Sequence, residues 1–188
     1  MRIHVTKSYL DMARSVIDTA LHGDPEQTAG EDAMFSLMSC TYVFSFMALQ
    51  SFCASHLHKF WSEENGNLRE KYSEVESFEA LMAGPLKEVK KALRELCSQL
   101  GIEPLHKANP QAWRKLNELL KGYRDYFVHP TPESFHEHVE ATGNLQWGFP
   151  SSVVAEIIGY FFEATRQPVP GWLKATGLRS KGFEVVCI

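Results

Sequence analysis

Residues 33 to 55 run for twenty-three positions without a formal charge, and this stretch limits the fold more than any other feature of the chain. As a helix it would be long enough to cross a bilayer. Seven of its residues are nonetheless polar, namely Ser36, Ser39, Thr41, Ser45, Gln50, Ser51 and Ser55. Glu31 and Asp32 precede it, and His56, His58 and Lys59 follow, so no Lys/Arg cluster sets an orientation. The pattern therefore predicts a buried central helix from about Gly30 to Trp61 rather than a membrane span, roughly 48 Å long. Thr41, Ser45, Ala48 and Ser55 give it a stripe of small residues, and Met34, Met38, Tyr42, Phe46, Leu49 and Cys53 give it a bulky one. A helix that is apolar on more than one side needs other helices around it.

The flanking sequence supplies them. Thr6 is placed to cap a first helix, in which Tyr9, Leu10, Ala13, Val16, Ile17, Ala20 and Leu21 recur at helical spacing until Gly23-Asp24-Pro25. Residues 62 to 73, with Asn65-Gly66-Asn67, read as a surface loop. After Gly84-Pro85, Leu86, Val89, Leu93, Leu96 and Leu100 form an amphipathic stripe that stops at Gly101, with Lys87, Lys90, Lys91 and Arg94 on the other side. Asn109-Pro110 opens the next helix, whose expected core stripe is Trp113, Leu116, Leu120, Tyr123 and Phe127, and Pro130 closes it. Thr131-Pro132-Glu133 begins a short helix that fades before Gly143. A further apolar helix follows Pro150-Ser151 and contains Val153, Val154, Ile157, Ile158, Phe161 and Phe162.

Beyond Pro168-Val169-Pro170-Gly171 the composition changes. Phe183-Glu184-Val185-Val186-Cys187-Ile188 favours a short strand, with pairing back onto Trp172 to Ala175 as one arrangement. The expected architecture is all-α, an antiparallel helical bundle over residues 1–168 with a long central helix, followed by an extension over 169–188. The opening Met1-Arg2-Ile3-His4-Val5 lacks the apolar core and cleavage site of a secretory signal. Cys40, Cys53, Cys97 and Cys187 show neither a C-x-x-C pair nor the dense spacing of a disulfide scaffold, and they read as reduced thiols. Both features point to the cytoplasm.

Net charge is −4, but it is unevenly spread. Residues 31 to 85 hold eight acids and three bases, whereas residues 86 to 129 hold nine bases and five acids. Any contact with RNA or another phosphate ligand is expected from the second segment, and the other reading is two solvated helix faces of opposite sign. Within that basic segment, Gly122-Tyr123-Arg124-Asp125-Tyr126-Phe127-Val128-His129-Pro130 brings a permanent cation, a carboxylate and a titratable base into six residues. Asp125 and His129, four apart, share a helix face, so the carboxylate can hold the imidazole in one tautomer. Arg124 and His129 fall roughly 140° apart on a straight helix, so convergence needs the helix to end at His129 or a second subunit to complete the site. Pro130 favours the first, because the residue before proline is pushed out of the α region. The bland reading is a protonated His129 at a helix C-terminus paired with Asp125.

Arg124-Asp125-Tyr126-Phe127-Val128-His129 resembles the R-x4-H motif of the HEPN superfamily of small all-α domains, in which the motif closes a late helix of a bundle with a long apolar earlier helix. The resemblance does not extend to the tail after Pro168. It implies a metal-independent RNA endonuclease acting as a homodimer with two motifs facing one cleft, in a toxin or defence setting. By that resemblance His129 is general acid or base at the ribose 2′-hydroxyl, Arg124 stabilises charge on the phosphate, and Asp125 orients them. Lys121, Tyr123 and Tyr126 are the substrate-binding candidates, the tyrosines as stacking groups or as core residues. Thr131 stands where a toxin subgroup has a tyrosine two residues after the histidine. The alternative is a non-catalytic helical module that binds a protein partner, such as an antitoxin, or a nucleotide. No cofactor is expected. His56-x-His58 and His136-x-His138 are poor metal pairs, because alternate residues of a helix point to nearly opposite sides.

Overall fold

The computed structural model describes residues 5–22, 31–63, 67–123 and 149–174, and among them every regular element is a helix. In chain order these are α1 (Val5–His22), α2 (Glu31–Ser62), α3 (Asn67–Lys71), α4 (Phe78–Ala83), α5 (Val89–Leu100), α6 (Leu105–Ala108), α7 (Pro110–Tyr123), α8 (Phe149–Ala164) and α9 (Gly171–Lys174). The long uncharged stretch forms α2, and α1, α3, α4, α5, α7 and α8 all pack against it. Met38, Tyr42, Leu49, Phe52, Cys53 and Leu57 are buried on it, as are Thr41, Ser45 and Ala48 of the small-residue stripe. Ser55 is exposed, so that stripe is covered only as far as Ala48. By length and hydropathy, Ser36–Ser62 would also suit a membrane, and here it is the core helix of the bundle.

The local signals explain where the helices begin and end. The Asn109 side-chain oxygen accepts from the Ala112 amide at 3.0 Å, capping α7 as Asn109-Pro110 predicts. Gly101 closes α5 at φ 63°, a left-handed turn in which its amide donates to the Cys97 and Ser98 carbonyls. Thr6 lies inside α1 rather than ahead of it, and its hydroxyl reaches Ser51 on α2 at 3.4 Å.

Three further expectations need correction. Residues 62 to 73 are not all loop, since α3 buries Leu68 beneath its turn. The helix expected directly after Gly84-Pro85 begins only at Val89, with Leu86 buried in the turn before it, and an unforeseen short helix, α4, precedes the glycine. Trp172 does not begin a strand. Gly171–Lys174 forms a helical turn in which the Leu173 amide donates to the Pro170 carbonyl at 2.9 Å. Leu173 enters the core beside Gly159, and the Trp172 carbonyl accepts from Arg14 of α1 at 3.2 Å. A side chain that can be buried outweighs the weak strand propensity of the segment. The strand expected at residues 183–188 and the short helix expected from Thr131 lie outside the described residues.

Candidate functional site

Helix α7 is the described element that leads to the Arg/Asp/His segment. Its buried face is Ala112, Leu116, Leu119 and Gly122, one step round from the expected stripe, while Trp113, Leu120 and Tyr123 are half-buried along its edge. Two small residues on that face let the helix sit low on α2. At Gly122 the fit is closest, because a Cβ there would lie 2.3 Å from Cε1 and 2.7 Å from Cζ of Tyr42. Burial pushes the Tyr42 phenol up to about 12, with the Glu118 carboxylate adding to the effect. The next residue, Tyr123, stacks on Phe46 of α2 with ring centroids 4.1 Å apart and planes 16° from parallel.

The last turn of α7 is therefore clamped to the middle of the central helix by aromatic packing. Of the residues singled out from the sequence, Tyr123 has one ring face taken by Phe46, and Lys121 is exposed. Two positions apart on a helix, they point to nearly opposite sides and are not brought together. Arg124, Asp125, Tyr126 and His129 lie outside the described residues, as do His136 and His138.

Sequence reasoning did not foresee a cluster further up the same helix. Lys90 and Arg94 of α5 both stand over the Trp113 ring, with Nζ 5.9 Å and Cζ 5.3 Å from its centroid. The His106 ring packs on the same indole at 5.6 Å. The available signal was the i, i+4 spacing of Lys90 and Arg94; that Trp113 would face them depends on where the bundle places α5 and α7.

His56 and His58 are spent separately. His56 Nδ1 lies 3.0 Å from the Phe52 carbonyl, whereas His58 meets Ser62 at 3.3 Å and the edge of Phe78. Among the described residues no group of three or more His, Cys, Asp or Glu is arranged to hold a metal. Cys53 and Cys97 are buried and unbridged, and burial pushes both thiols up, away from the reactive thiolate. Cys40 is exposed and also unbridged.

No protein-family model, curated protein or solved structure matches the chain.

Proposed function

We propose that this protein is a metal-independent RNA endonuclease of the HEPN type, working in the cytoplasm as a homodimer. The observation that carries the reading is the Arg124-Asp125…His129 spacing, which in sequence follows directly on α7, a helix fixed to the long central helix of an all-α fold.

The chemistry asks little of the protein. RNA brings its own nucleophile, so the site has to move two protons and meet charge on phosphorus. His129 takes the proton of the ribose 2′-hydroxyl. The bond from the 2′-oxygen to phosphorus forms as the bond from phosphorus to the 5′-oxygen breaks. The partner subunit's His129, reaching the same cleft as an imidazolium, returns a proton to the departing 5′-oxygen. Arg124 faces the non-bridging oxygens, where its fork of donors matches the developing charge. Asp125, four residues before His129 in sequence, fixes the tautomer.

The test is cleavage of a single-stranded RNA in EDTA. His129→Ala and Arg124→Ala each reduce the rate by about 10² or more, while circular dichroism shows the helices intact. Equal cleavage by the variants overturns the assignment. RNA that is bound but never cut, by wild type as well as by variants, points instead to the non-catalytic module.

A further inference from the structure

The Lys90, Arg94 and Trp113 cluster gathers two cations at one aromatic ring. Neither cation makes a salt bridge with a carboxylate of the described residues, although the Glu88 carboxyl is held below its ordinary range chiefly by Lys91 and, to a lesser degree, by the positive charge of Lys90. The acids nearest in sequence are already engaged: Glu88 with Lys91 at 2.7 Å, Glu118 with Arg114 at 4.0 Å, and Glu95 with Lys71 at 2.7 Å. Lys87 and Lys107 add exposed positive charge on the neighbouring segments. Two cations brought to one ring without a carboxylate in direct contact repel each other, and an anion between them relieves that repulsion. Trp113 is only half-buried.

The charge continues along α7. Arg114 and Lys121, seven residues apart and both exposed, lie on one side of the helix next to Trp113, with Glu118 between them, so a phosphate at Arg114 takes the place of that carboxylate, 4.0 Å away. Their separation is about 10 Å along the axis. Lys121 sits in the last turn, two residues before the end of α7 and three before Arg124 in sequence.

We infer that Lys90, Arg94 and Trp113, continued by Arg114 and Lys121, form a track for single-stranded RNA, with the cations on successive phosphates and the indole against a base. A row of cations with an aromatic ring at its head suits a strand that offers charge and a flat ring in alternation. An acidic peptide offers the charge alone. The identification of the ligand as RNA rests on the ribonuclease reading, although the track itself lies outside the proposed catalytic residues.

The experiment is fluorescence anisotropy of the full chain with a labelled 2′-O-methyl RNA 20-mer, which cannot be cleaved because it lacks the nucleophile. The expected result is binding that weakens at least tenfold in the Lys90→Gln/Arg94→Gln double variant. The slope of log affinity against log salt should fall by about 1.4, or roughly 0.7 for each phosphate that is no longer neutralised. Trp113→Phe abolishes quenching of intrinsic tryptophan fluorescence by the oligonucleotide, and Lys59→Gln, on the exposed end of α2, changes nothing. Wild-type affinity and salt slope in the double variant, or no binding by wild type at low salt, overturn the track. Competition by poly-glutamate as effective as by RNA overturns the nucleic-acid assignment. The two readings fail separately. Binding that depends on Lys90 and Arg94 in a protein that cuts no RNA keeps the track and sinks the nuclease, whereas cleavage that needs His129 in a protein whose binding ignores them does the reverse.

Discussion

At the scale of single residues, the strongest commitments are those whose partners are far away in sequence. Glu95 is only 5% exposed, yet its carboxylate takes Lys71 at 2.7 Å, Tyr72 at 3.0 Å and Gln99 at 2.9 Å. Burial alone would raise its pKa, but the three hydrogen bonds together outweigh that and hold it below the ordinary glutamate range. A depressed carboxylate stabilises the fold above the unfolded-state pKa, and that contribution is lost as pH falls through the folded value. Lys71→Met therefore costs about 1–3 kcal/mol near neutral pH. The penalty shrinks as acid protonates Glu95 in wild type and variant alike, which urea titrations at pH 7 and pH 3 check. Gly122 makes a steric prediction of the same kind. With Tyr42 5% exposed and its ring in the path of any Cβ, Gly122→Ala costs about 1–3 kcal/mol by overpacking. Pairing it with Tyr42→Val, whose side chain ends short of the clash, removes most of the added penalty in a double-mutant cycle. Neither commitment could be read from the sequence. Glu95 sits beside Leu96 as any solvated glutamate of an amphipathic helix would, and its partner Lys71 lies in a segment that reads as loop.

At the scale of elements, what was legible is what is encoded locally. Asn109-Pro110 and Gly101 gave the ends of α7 and α5, because caps are decided by a residue and its immediate neighbours. The extent of α2 followed from its lack of charge, and the buried run of α8 followed from Val153, Val154, Ile157, Ile158 and Phe161. The face of α7 was less legible. Periodicity weights large apolar side chains, so it selected Trp113, Leu120 and Tyr123, whereas close packing against α2 turns Ala112 and Gly122 inward and leaves the large rings at the edge. The cap of α7 has a further role. Asn109 also donates to Glu156 of α8 at 3.4 Å, and Lys115 meets the same carboxylate at 2.7 Å, so the start of α7 is tied to its neighbour as well as capped. Asn109→Ala loses about 1 kcal/mol or somewhat more through the cap and this tie together. Asn109→Asp keeps a capping oxygen but sets it against Glu156, and it recovers only part of that loss. Thermal unfolding of the two variants beside wild type separates the cap from the tie.

At the scale of the whole molecule, the core runs without interruption from Leu10 of α1 to Leu173 of α9, and every large helix shares it through α2. The segment that would suit a bilayer by length and composition also supplies much of this core. The sequence did not reveal that Trp113 of α7 would meet Lys90 and Arg94 of α5, and that contact turns separate basic residues into one surface. Arg124, Asp125 and His129 were legible only as a spacing. The proposed mechanism makes a demand of the assembly that this spacing does not, since one imidazole must accept a proton while another donates one. If both belong to a cleft on a two-fold axis, a dimer with a single His129 is inactive. When wild type and His129→Ala subunits are mixed in equal amounts and allowed to exchange, only wild-type pairs cut, and activity falls to about one quarter of that of an all-wild-type sample at the same total concentration. Two self-contained sites would leave about one half, because each wild-type subunit would work whatever its neighbour. Initial cleavage rates across a series of mixing ratios distinguish the two, quadratic in the wild-type fraction for the shared cleft and linear for independent sites.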